Sequence, residues 1–187
     1  LQLWLDQRSS DSKICAIGEI GLDFYHKETD TSRQQQLFEA QLHLAGQYRL
    51  PVLLHVRRAH AAAIATLKSI PVQAGGIVHA FSGSHEEAKE YIRLGFMIGL
   101  GGAGTWPQAH RMHRVLKQLP LESIVLETDA PDITPASHPG ERNSPENLPA
   151  ICSRLAEIRG ISTGQMAEAT TRNAQRLFQW PETSASD

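Results

Sequence analysis

Residues 51–81, PVLLHVRRAHAAAIATLKSIPVQAGGIVHAF, decide the fold. Two apolar runs, at 51–56 and 76–81, flank a helical pattern over 58–70. Neither run alternates apolar with polar residues, and such continuous apolarity is what a parallel strand covered on both faces requires. The stretch reads as strand, helix, strand.

The same rhythm extends in both directions. Further apolar runs lie at 14–20 (ICAIGEI), 96–101 (FMIGLG) and 123–128 (SIVLET). Helical patterns occupy 31–49, 85–94, 107–119, 145–159 and 163–179. Ser84-His85-Glu86-Glu87 and Ser162-Thr163-Gly164-Gln165 fit the capping box, and Ser144-Pro145 sets a cap residue before a proline in the first turn. Repeated βα alternation makes the chain α/β and predicts one domain over 1–187, frayed at 181–187. A doubly wound sheet and a (β/α)₈ barrel share this alternation. Five strands in 187 residues, against eight in about 250, favour the open sheet by count alone. The first turn, Gly18-Glu19-Ile20-Gly21-Leu22-Asp23, nevertheless offers carboxylates where a dinucleotide fold would cradle a pyrophosphate.

Composition narrows the function classes. Hydrophobic residues make up 41% and charged residues 20%, which excludes a disordered or fibrous chain. A net charge of -2 supplies no global basic field for holding a polyanion, so binding of nucleic acid has to be local or metal-assisted. The weakly polar run from Gly95 to Gly104 is too short to span a bilayer, and no signal peptide opens the chain, so no membrane role is expected. Cys15 and Cys152, far apart, suit reduced thiols and a cytoplasmic setting. The chain opens on Leu1, inside an uncapped helical pattern, which leads us to expect a missing start.

Glu19, His55, His79 and Asp129 end four of the expected strands, and all are metal-ligand types. Parallel βα architecture brings every strand's C-terminal end to one face, so these scattered residues are expected to converge. Two carboxylates with two imidazoles suit Mg²⁺, Mn²⁺ or Zn²⁺ with water in open positions, since closed structural zinc is normally rich in thiolate.

G-E-I-G-L-D at 18–23, L-H-V-R-R at 54–58, H-A-F-S-G-S at 79–84, E-T-D-A-P-D at 127–132 and R-N-S-P-E at 142–146 together resemble the TatD family of metal-dependent deoxyribonucleases, in its YjjV-like branch. The likeness runs over essentially the whole chain in order. It implies a TIM-barrel metal-dependent hydrolase fold, here a partial barrel of about strands 4 to 8. It also implies one or two divalent ions, with Glu19 as bridging carboxylate, His55 and His79 as ligands of one ion and Asp129 of the other. Asp129 and Glu19 are then the catalytic pair, Asp129 orienting or deprotonating the attacking water. A His-x-His pair on the family's first strand has no counterpart here, and residues 1–13 contain no histidine.

The expected substrate is DNA, entered at strand ends, with no obligatory protein partner. Amide or ester hydrolysis in the amidohydrolase manner is the alternative chemistry, and a non-catalytic remnant with self-associating sheet edges is the alternative outside enzymes. Arg57, Arg58 and Arg142 are candidates for phosphate contact. Asp23 is a candidate for fixing a histidine tautomer, or simply caps the following loop. His60 is expected at the surface, and His110 and His113 on a solvated helix face beside Arg111 and Arg114. Asn143 reads as turn chemistry or a site contact, and Ser82 and Gly83 as shaping a loop, with no adjacent base to make Ser82 a nucleophile.

Overall fold

In the computed structural model, which describes residues 1–8, 11, 13–26, 28 and 30–181, five parallel strands lie side by side in chain order. A short helix α1 (Gln2–Asp6) precedes β1 (Ile17–Asp23), and α2 (Thr31–Tyr48) leads to β2 (Val52–Arg57). Then follow α3 (His60–Ser69), β3 (Gly76–Val78), α4 (His85–Arg93), β4 (Phe96–Leu100), α5 (His110–Gln118) and β5 (Ile124–Leu126). A 3-10 turn at Pro145–Asn147 enters α6 (Leu148–Arg159), and α7 (Thr163–Phe178) ends the fold. The expected frayed tail falls, from residue 182 on, outside the described residues.

A doubly wound sheet reverses its strand order at a switch point. This sheet does not, running β1-β2-β3-β4-β5, so the doubly wound order is excluded, while the five described strands form an open sheet.

Alternate residues divide the sheet into two faces. Ile20, Leu22, Val52, Leu54, Val56, Val78, Ile98 and Ile124 are buried in one cluster with Phe38, Leu42, Ala63, Leu67 and Leu116 from the helices. Each of these side chains larger than alanine contributes about 1.5–3 kcal/mol on burial. The opposite face has a smaller apolar layer, Ile77, Met97 and Val125, packed with Leu53 and with Leu177 and Phe178 of α7. Beyond that layer, toward the C-terminal ends of the strands, the same face carries the polar residues.

Both capping boxes form, with the Ser84 and Ser162 hydroxyls accepting from the backbone N–H of Glu87 and Gln165. Ser144 accepts from Glu146, but the segment after it makes a 3-10 turn before helix sets in at Leu148. Among the described residues no helix is long and apolar enough to cross a membrane.

Three boundary shifts bear on the site. The first strand begins at Ile17 and continues through Asp23, because Gly21, Leu22 and Asp23 pair with His55, Val56 and Arg57. Glu19 and His55 therefore sit within strands rather than at their ends. The third and fifth strands stop at Val78 and Leu126, leaving His79 just beyond one and Asp129 in the loop after the other.

Candidate metal centre

Glu19 reaches the polar face through an irregularity. Ile17 pairs with Val52 but Ile20 pairs with Leu54, so β1 spends one residue more than β2 over this interval. A bulge of this kind re-aims a side chain. Without it Glu19 would lie opposite Leu54, whose side chain is buried under the helices. Gly18 makes the bulge possible, since a Cβ there would stand 2.6 Å from Leu53 Cβ.

The side chains then converge on one imidazole. His55 Nδ1 lies 3.1 Å from His79 Nε2, and Glu19 Oε2 lies 3.4 Å from the same nitrogen and 3.8 Å from His55 Nδ1. On the other side of the His79 ring, Asp129 Oδ1 is 3.7 Å and Glu127 Oε1 is 4.0 Å from Nδ1. Donors bound tetrahedrally about 2.1 Å from a common ion stand about 3.4 Å apart. One ligand atom from each of Glu19, His55 and His79 lies within 4.8 Å of the others, so this trio fits a divalent cation. Asp129 stands outside the trio, across the ring.

Asp23 faces the far side of the His55 ring. Its Oδ2 is 3.3 Å from His55 Nε2, which leaves Nδ1 turned to Glu19 and His79. Burial pushes the Asp23 carboxyl up, but the Tyr25 N–H, donated at 2.8 Å, and His55 outweigh it and hold the group below the usual carboxylate range.

Glu127 is the residue that sequence reasoning missed. Burial drives its carboxyl up to about 7, against the N–H donated by Ala80 at 2.5 Å and helped by the charges of Asp129 and Glu19. Crowded carboxylates that repel one another in this way are what a bound cation relieves. Room for Glu127 comes from Gly99 and Gly101, where a Cβ would stand 2.7 Å from Glu127 Oε2 and 2.9 Å from its carbonyl oxygen. Its signal in the sequence is parity: Glu127 lies two residues beyond Val125, whose side chain packs on the side of the sheet that carries the polar residues.

Of the six non-glycine residues with positive φ among the described residues, three follow the strands that carry the cluster: Arg58, Ala80 and Asp129, after β2, β3 and β5, hold φ of 55°, 44° and 58°, while Arg49 and Gln179 end helices and Ile133 lies in the loop after Asp129. Non-glycine residues in this region cluster at functional sites.

The remaining candidates separate. Arg57 and Arg58 stack over the ring of Tyr25, with Cζ 3.6 Å and 4.7 Å from its centroid. Arg142 is exposed, and among the described residues no hydrogen bond or ion pair joins it to the cluster. Buried Asn143 donates to the carbonyls of Thr128 and Asp132, each at 2.6 Å, and so pins the loop that carries Asp129. His60 is not at the surface: it is buried, 3.2 Å from the Tyr91 hydroxyl, because α3 turns this position toward Phe81 and Tyr91. His110 is exposed, whereas His113 is half-buried with Nε2 3.0 Å from the Gly104 carbonyl.

Comparison with known proteins gives a consistent picture. The family profile described as TatD related DNase matches residues 2–179. The chain is 40% identical over 181 residues to a protein of Escherichia coli strain K12 named uncharacterized metal-dependent hydrolase YjjV, covering 97% of this chain and 69% of that one. It is 37% identical over 183 residues to a protein of Erwinia tasmaniensis named 3'-5' ssDNA/RNA exonuclease TatD, covering 93% of this chain and 70% of the relative. Among solved structures, that of YjjV, a TatD homologue from Escherichia coli K12, superposes with a TM-score of 0.88 at 38% identity, over 97% of this chain and 72% of the other.

Proposed function

This chain belongs to the TatD related DNase family, and from that premise we propose that it is a divalent-metal-dependent hydrolase that cleaves phosphodiester bonds at the ends of DNA strands. The observation that carries the reading is the convergence of Glu19, His55 and Asp129, each within 4 Å of the His79 imidazole. In this reading the parallel sheet is an arc of the eight-stranded barrel, its strands taking about the fourth to eighth places. Two free cysteines suit a cytoplasmic setting.

Glu19, His55 and His79 would hold one ion, and Glu19 with Asp129 a second, with Mg²⁺, Mn²⁺ or Zn²⁺ all compatible with carboxylate and imidazole donors. Such ions, when bound, lower the pKa of water and neutralise charge on a phosphodiester. Asp129 orients the attacking water and accepts its proton. Asp23 keeps the proton of His55 on Nε2, so that Nδ1 remains a donor. The Arg57 and Arg58 guanidiniums supply the positive charge for phosphate that the chain as a whole lacks.

Nucleotide release from single-stranded DNA by the purified chain, with Mg²⁺ or Mn²⁺ and with chelator, tests this reading. Release only with metal is expected. Glu19→Gln should lose roughly 100-fold or more and Arg57→Ala roughly tenfold, since a shared ligand serves both ions while a rim arginine only positions phosphate. Equal release in chelator would overturn the metal mechanism, and comparable losses in the two variants would overturn the ranking.

A further inference from the structure

Tyr25 stands immediately after Phe24 in the loop that follows β1, and the two rings go separate ways. Phe24 packs against the core, while Tyr25 stays 40% exposed and joins no hydrophobic cluster among the described residues. The loop does not depend on the Tyr25 ring for its anchorage: Asp23 is tied to Gln34 through both its backbone N–H, at 2.8 Å, and its carbonyl, at 3.1 Å. An aromatic ring exposed in this way contributes little to folding.

What surrounds the ring is cationic and aromatic. Arg57 and Arg58 lie over it at 3.6 Å and 4.7 Å, and His26 meets its edge with centroids 4.9 Å apart. Stacking of this kind holds an arginine pre-ordered and leaves its N–H donors free for an oxygen anion. The assembly is joined to the metal-ligating side chains at two points. The Tyr25 backbone N–H donates to the Asp23 carboxylate that faces His55. Arg57 is two residues beyond His55 on the same strand, hence on the same face and about 6.6 Å further along. Near the carboxylates of Glu19, Asp23, Glu127 and Asp129, which repel a polyanion, this is a local patch of positive charge interleaved with aromatic rings.

We infer that Tyr25, with Arg57 and Arg58 stacked on it, is the platform that receives a base of single-stranded nucleic acid beside the metal centre, making Tyr25 the positioning residue for the strand. The inference rests on the nuclease reading above and deepens it. A base laid on the exposed part of this tyrosine–guanidinium stack makes a sequence-tolerant contact, because every base has a π-face, and the guanidinium N–H groups engage the adjoining phosphate. The platform therefore selects a strand with exposed bases over one whose bases are paired and stacked.

The test is equilibrium binding of the full chain, in chelator so that nothing is hydrolysed, followed by fluorescence anisotropy. The probes are a labelled oligothymidylate and an oligomer of equal length and charge made of abasic deoxyribose phosphates. The wild-type chain should bind the oligothymidylate about 5- to 150-fold more tightly than the abasic strand. Tyr25→Ala should remove most of that preference while hardly moving affinity for the abasic strand, and Tyr25→Phe should restore it. Equal affinity of the wild-type chain for the two strands would overturn the inference, whatever the variants do. So would a Tyr25→Ala loss of the same size on both strands, the result a merely structural role predicts. Nucleotide release with Mn²⁺ is measured separately: a base preference without any release sinks the nuclease reading and leaves the platform standing, and release without a base preference does the reverse.

Discussion

Glu127→Gln isolates the electrostatic stress of the site. The Glu127 carboxyl titrates at about 7 in the fold, against 4.5 ordinarily, because burial and the neighbouring Asp129 and Glu19 resist its ionisation. For an acid whose folded pKa is raised, the stabilising contribution is full below the unfolded value and is lost as pH rises through the folded one. The gap between 4.5 and about 7 converts to about 3 kcal/mol at full ionisation, a large share of a domain's stability. Glutamine stays neutral throughout and keeps an oxygen to accept the Ala80 N–H. Urea denaturation of the chelated chain, followed by circular dichroism at several pH values, should show the variant gaining on the wild type by about 3 kcal/mol between pH 4.5 and pH 8. A cation held by Glu19, His55 and His79 favours the charged carboxylate, so added Mn²⁺ should flatten the difference. Parallel stability curves for the two proteins across this window would refute the reasoning.

Three further outcomes are expected. Asp23→Asn should weaken Mn²⁺ binding about 10- to 100-fold in calorimetric titration, because the carboxylate that fixes the His55 ring is lost, and unchanged affinity would show that Asp23 merely caps its loop. Gly99→Ala should cost about 1–3 kcal/mol in urea denaturation, since its methyl would meet Glu127 Oε2 at 2.7 Å and His79 Cα at 3.1 Å, and wild-type stability would count against the packing described. Tyr91→Phe should cost about 1–3 kcal/mol by leaving buried His60 without its 3.2 Å partner, with nucleotide release per folded molecule unaltered; a fall in release at undiminished stability would place His60 in the chemistry instead.

The fold was legible because the helix-facing side of each strand is apolar, and hydrophobic pattern reports burial. Every expected strand and helix is present, with ends displaced by a few residues. The largest displacement, in β1, has a physical cause. Gly21 and Asp23 face the polar side and interrupt the apolar run, whereas Ile14 and Cys15 continue it without entering the ladder. His60 was misplaced for a related reason. Two preceding arginines give its neighbourhood a solvated look, but the rotation of α3 alone decides that it meets Phe81 and Tyr91.

The site was legible only where a residue type is rare enough in a strand to stand out. A histidine at 55 and another at 79 are conspicuous among Val, Leu and Ile, and parallel topology is sufficient to bring them together. Glu127 and Tyr25 carry no such mark. A glutamate at a strand end reads as a solvated terminus, and what distinguishes Glu127 is an absence on and just beyond the neighbouring strand: Gly99 leaves room for its carboxylate and Gly101 for its backbone and Cγ. Tyr25 reads as half of an aromatic pair with Phe24, and only the direction of each ring separates a residue packed on the core from one left exposed beneath two arginines. In both cases the deciding fact is a relation between two strands or a strand and a loop. Periodicity within one segment is blind to such relations, which is why the polar face of the sheet is the harder one to read.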